Sequence, residues 1–177
     1  MKKLTFTALV LMIGTVAFAS TLGIPWYVDN GAPNGASPPI GKAAAGSYGQ
    51  CTMIFLKNNT GDALPCTIMY YSAEGAELGP FGTTSINKDN TFSIPANAAV
   101  AFRPVQDDPA AEPAGRAIPN RPAGGANGSI VISWEGTTAT DVQGYAVSYQ
   151  NWYNTAGTAT TRSLGWAYLL PTGVSGS

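Results

Sequence analysis

From residue 51 to residue 102 the chain alternates apolar, β-favouring runs with clusters of turn-forming residues, and this punctuation constrains the fold more than any other feature. Residues 52–56, 67–71 and 91–102 are rich in β-branched and aromatic side chains, whereas the segments between them hold Asn, Gly, Asp and Pro. No long stretch of helical period competes with them. Within the third run Pro95-Ala96-Asn97 breaks the pattern, so it reads as strand, bend, strand. Residues 129–135, 144–150 and 164–170 add three more alternating segments joined by Thr-, Gly- and Asn-rich connections, and residues 77–81 add a short one. Seven or eight short strands with turns between them predict an all-β chain, a single antiparallel β-sandwich with Ig-like or jelly-roll topology. The absence of any internal repeat argues against solenoids and propellers.

Cys51 and Cys66 test how the first two runs pair. A two-residue loop at Asn58-Asn59 sets the cysteines directly opposite each other, but it places Gly61 and Pro65 inside a strand. A four-residue loop over residues 59–62 matches Phe55 with Cys66 and Met53 with Ile68, and separates the cysteines by roughly 13 Å along the ladder, beyond disulfide reach. The second register has the better side-chain pattern. A disulfide is still expected in an exported chain, between facing sheets or across a bulge.

Export itself is read from residues 1–19. Met1-Lys2-Lys3, an apolar run over residues 4–16 and Ala17-Phe18-Ala19 form the three parts of a secretory signal peptide of bacterial type, with cleavage expected before Ser20. The run is shorter than the roughly 20 residues of a spanning helix, and no later segment resembles a second one. Removing these residues from the 177 leaves 158, enough for one domain, and lowers the formal net charge from −1 to −3. The mature product is expected at the cell surface, secreted or periplasmic, with no transmembrane segment. Charged residues are 11% of the chain, against roughly 25% in typical soluble domains. A surface so weakly charged suits adhesion or assembly, and it offers no basic stripe for nucleic acid.

Residues 20–50 begin with an apolar patch and continue as a Gly/Pro/Ala-rich linker in which Lys42 is the one charge between Asp29 and Lys57. Leu22, Ile24, Trp26 and Val28 fall on one face of an extended strand. That strand is expected either to complete the chain's own sheet at an edge or to be donated to a neighbouring subunit. The β-sandwich domain proper is placed at residues 51–177. Its long insertion at 104–128 holds five of the thirteen prolines and reads as a solvated loop, in which Arg116 and Arg121 are available to Asp107, Asp108 and Glu112.

Catalytic groups are sparse. The chain contains no His, which removes the commonest general base and transition-metal ligand. Its four Glu, at 74, 77, 112 and 135, do not form a recognisable acid–base pair, and no phosphate or dinucleotide fingerprint is present. Asn87-Lys88-Asp89-Asn90 is a turn without calcium-loop spacing. The terminal LLPTG lacks the spacer, apolar segment and basic tail of a wall-anchoring signal. No enzyme activity, metal or cofactor is therefore expected. The expectation is a secreted structural or adhesive protein, a subunit of an extracellular assembly that partners with itself. The alternative is a carbohydrate-binding module that takes surface glycan. Trp152 and Tyr153, placed in a loop after residue 150, are then the first stacking candidates, with Trp26 and Tyr27 second. A small glycan-active enzyme is the third reading.

Overall fold

The computed structural model describes residues 19–29, 48–81, 89–104, 118–136, 138–153, 159–170 and 172–174. Among them are nine strands and no helix. The strands are β1 (Ala19–Val28), β2 (Tyr48–Asn58), β3 (Leu64–Ser72), β4 (Thr91–Ile94) and β5 (Ala99–Phe102), then β6 (Asn127–Glu135), β7 (Val142–Tyr153), β8 (Ala159–Leu169) and β9 (Thr172–Val174). They form two sheets, A in the order β4-β3-β6-β1-β9 and B in the order β5-β2-β7-β8, with every ladder antiparallel. The fold is all-β and β-sandwich-like. Residues 1–18, which include most of the expected signal peptide, lie outside the described residues, as do 30–47 of the linker and 105–117 of the long insertion.

Alternation along the strands builds the core between the sheets. Sheet A turns inward Leu22, Ile24 and Tyr27 from β1, Cys66, Ile68 and Tyr70 from β3, and Ile130, Ile132 and Trp134 from β6. Sheet B answers with Ile54 and Leu56 from β2, Val100 and Phe102 from β5, and Val142 and Ala146 from β7. The two contributions differ in size. β7 faces the core with Val142, Gly144, Ala146 and Ser148, and a Cβ added at Gly144 would come within 2.8 Å of Leu22 Cδ2 and 3.1 Å of Leu56 Cδ2. Small residues on β7 thus make room for the large residues of β1, and the bulkier Tyr145 and Val147 fall on the outer face.

The first six strands pair as a nested set, β3 with β4, β2 with β5 and β1 with β6, alternating between sheets A, B and A. Such nesting requires the chain to cross from one sheet to the other after β2, so the hairpin expected between residues 52–56 and 67–71 does not form. Asn58 secures the crossing. Its buried amide donates to the carbonyls of Asp62, Ile94 and Pro95 at 2.8, 3.0 and 3.1 Å, and its Oδ1 accepts from the Thr60 N–H and hydroxyl, both at 2.8 Å. One side chain therefore satisfies the turn after β2 and the bend between β4 and β5 at once, and it stabilises the corner that a simple hairpin would lack.

This crossing also corrects the disulfide expectation. Cys66 points into the core from sheet A, whereas Cys51 lies on sheet B with the parity of Phe55 and Lys57, on the face turned away from Ile54 and Leu56. Both are buried, and no disulfide joins them. A bridge would require reversing the side-chain parity of one strand.

β1 departs from the expected single face as well. Ile24 pairs with Ile130 and Tyr27 with Gly128, so three steps on β1 oppose two on β6, which is a bulge at Pro25-Trp26. Pro25 has no N–H to give the ladder, and the bulge absorbs that loss. Beyond it the parity flips. Tyr27 enters the core, fully buried, and Trp26 turns outward at 47% exposure. Rather than lying at an edge, β1 sits between β6 and β9 within its own chain's sheet.

Candidate functional site

The outer face of sheet B carries a row of apolar residues across all four of its strands. Ala101 on β5 pairs with Phe55 on β2, Phe55 with Tyr145 on β7, and Tyr145 with Leu169 on β8. Register alone brings these residues together from four separate parts of the chain. The rings of Phe55 and Tyr145 stack with centroids 4.6 Å apart and planes 7° from parallel, at the spacing of neighbouring strands. Tyr145 is 41% exposed and Leu169 85% exposed. An open groove of about 510 Å³ runs along this row, and Lys57, Ala99, Thr140 and Gln143 complete its wall.

Polar side chains brace the groove at its end. Lys57 Nζ donates to the carbonyls of Asn58 and Asn97 at 2.6 and 2.8 Å. The N–H of Asn59 donates to the Asp141 carbonyl at 2.8 Å, and its side-chain amide to the Thr140 carbonyl at 2.9 Å. Asp141 in turn accepts from the Thr138 N–H at 3.2 Å and from the Thr138 hydroxyl. Three turns, after β2, β4 and β6, are thereby tied together, so the groove is a fixed shape. Its lining can offer an aromatic face, a methyl-rich floor and the amide of Gln143, the requirements of an apolar or amphipathic partner.

A second cluster lies at the other end of β1. Arg121, 6% exposed, donates from Nε to the Pro104 carbonyl and from Nη1 to the Pro122 carbonyl, each at 3.0 Å, and its Nη2 stands 3.8 Å from Asp29 Oδ2. Arg121 therefore ties Pro104 and Pro122 of the 104–128 insertion to Asp29, just beyond β1; its expected partners Asp107, Asp108 and Glu112 lie outside the described residues. Tyr70 donates its hydroxyl to the Pro119 carbonyl at 2.9 Å and meets Tyr27 edge to face at 6.1 Å. Burial pushes both phenols above their ordinary range, against the partial opposition of Arg121. Two tyrosines held neutral and an arginine spent on carbonyl oxygens make a clamp, with no activated nucleophile or base among them. Among the described residues no group of three His, Cys, Asp or Glu side chains could hold a metal ion, and no helix is long and apolar enough to cross a membrane.

The expected glycan-stacking residues are divided by the fold. Trp152 and Tyr153 are the last residues of β7, their backbones paired with Tyr48 and Ala159, so they belong to a strand rather than the loop expected there. Their side chains lie outside the described residues. Tyr27 is core, which leaves Trp26 as the surface member of the second pair. Of the four residues assigned to one face of β1, Leu22 and Ile24 are core, Trp26 is outward, and Val28 is half-buried with its N–H donating to Thr52 Oγ1 at 3.0 Å. Phe55, Tyr145 and Leu169 were not anticipated as a site. The signal for Phe55 was present in the run Met53-Ile54-Phe55-Leu56, which is apolar on both faces of a strand and so predicts contacts on both.

The chain matches no protein-family model, no curated protein and no solved structure at significance.

Proposed function

We propose that this protein is an exported, non-catalytic β-sandwich with a structural or adhesive role, a subunit of an extracellular assembly that acts through the outer face of sheet B. The observation that carries this reading is the row Phe55, Tyr145, Leu169, an ordered apolar stripe left in water on a domain with an ample core of its own. The low charge supports it, because little repulsion opposes close approach. Residues 1–19 act as a signal peptide removed before Ser20, which N-terminal sequencing of the secreted product checks. The nested pairing of the first six strands favours a jelly-roll-like over an Ig-like topology, since Ig sandwiches do not nest this way.

Replacing both Tyr145 and Leu169 by Ser tests the reading. Neither side chain belongs to the core, so the variant is expected to melt within a few degrees of the native chain and to lose assembly or surface adhesion as followed by light scattering and negative-stain microscopy. A variant that assembles as the native chain does would sink the proposal. Carbohydrate binding is the second reading, favoured by the exposed Tyr145 ring beside Gln143 and Thr140 in the open groove. It requires binding to at least one member of a broad glycan array, lost in Tyr145→Ala. The stacked geometry weakens it, because Phe55 covers one face of the Tyr145 ring.

A further inference from the structure

The four sheet edges are unequal. β4, β5 and β9 are four, four and three residues long, whereas β8 runs for eleven. Among the described residues β8 pairs on one side alone, with β7. Short edges are one of the devices that prevent edge-to-edge pairing, together with prolines and charges. β8 has no proline and a single charged residue, Arg162. Three edges are thus blunted by length, and among the described residues nothing pairs with or blunts the fourth.

The polarity of that edge follows from one hydrogen bond. The Leu170 N–H donates to the Gly144 carbonyl at 3.0 Å, and the same register continues with Tyr168 opposite Ala146 and Trp166 opposite Ser148. Hydrogen-bonded and non-hydrogen-bonded pairs alternate along an antiparallel ladder. The even-numbered residues of β8 therefore spend their backbone groups on β7, and odd-numbered ones such as Ser163, Gly165 and Ala167 turn N–H and C=O outward.

Resting on the assembly reading above, we infer that β8 is a self-association edge, to which a second copy of this chain adds its own β8 antiparallel about a two-fold axis. An incoming strand must bring an unsatisfied edge of matching length, and among the described strands β8 is the one that can. With one charge in eleven residues, a strand meeting its own copy faces no row of like charges. The apolar row of sheet B ends at this edge, on Leu169, so a strand added there supplies the neighbour the row lacks. Two four-stranded sheets become one of eight. Because both copies use the same patch the contact is isologous and closes, and the remaining edges are too short to propagate it. Pairing through this edge closes as a dimer and does not by itself propagate a filament.

Sedimentation velocity across a concentration series of the secreted chain, combined with amide hydrogen exchange, tests this. The expected result is a dimer in which the amides of Ser163, Gly165 and Ala167 exchange at least about tenfold more slowly than in dilute monomer. Ala167→Pro removes an outward N–H and leaves the β7 ladder intact, so it is expected to keep the native melting transition and weaken the dimer by about tenfold or more. If that variant fails to fold, the exchange pattern of the native chain decides. A dimer whose odd-numbered β8 amides stay fast would overturn the edge and leave assembly through another face standing. A chain that stays monomeric throughout, or whose β8 amides are protected only by a foreign extended peptide, overturns self-association altogether.

Discussion

Cys66 shows how far one buried side chain departs from its solution chemistry. Enclosed by the core at 3% exposure, its thiol is pushed by burial from an ordinary 9.0 up to about 12. An unfolded chain releases that proton near pH 9 and the folded chain holds it, so the folded state is at no disadvantage below pH 9. Between pH 9 and about 12 this one group lowers stability by up to about 1.4 kcal/mol per pH unit. The native protein is accordingly expected to leave Cys66 unmodified by iodoacetamide at pH 8, and the denatured chain to take up two adducts with no prior reduction. An intact mass two hydrogens short of the reduced chain would contradict the placement of Cys51 and Cys66 on opposite faces. Asn58 makes the complementary point. Its five hydrogen bonds are the reason a residue that resembles ordinary turn material is wholly buried.

Strands depend on two glycines in different ways. A Cβ at Gly144 meets the ends of the Leu22, Leu56 and Leu170 side chains, which can shift, whereas a Cβ at Gly128 runs into the backbone carbonyl of Tyr71 on the neighbouring strand. Gly144→Ala is expected to cost about 1–3 kcal/mol by overpacking, and Gly128→Ala to cost more, because a backbone shift breaks the β3–β6 ladder. Urea denaturation of both variants checks the order, and equal costs would show that the sheets close less tightly than described. Most strands were legible from their alternation, since Ile130, Ile132 and Trp134 on β6 or Ile68 and Tyr70 on β3 announce an inward face by period alone. Two features were not. The bulge at Pro25-Trp26 reverses parity within a run that looks continuous, so Tyr27 rather than Trp26 enters the core. The crossing after β2 is set by partners far along the chain: Phe55 meets Tyr145 across a separation no local pattern encodes. Because the candidate site is made of that long-range register, only its separate pieces could be read from the sequence.

At the scale of the whole molecule, the two sheets do different work. Sheet A supplies most of the large core residues and is clamped to the 104–128 insertion by Arg121, while in sheet B the central strand β7 turns small residues inward and the sheet leaves its aromatic row outside. A domain stable by only about 5–15 kcal/mol keeps such a row in water at the risk of aggregation, and association through sheet B accounts for it. Hydroxyl-radical footprinting, read by mass spectrometry in dilute solution and in the assembled state, tests this most directly. Phe55, Tyr145 and Leu169 are expected to lose modification on assembly while Trp26 keeps its own. Unchanged labelling of Tyr145 and Leu169, with new protection on the outer faces of β3 and β6, would contradict it.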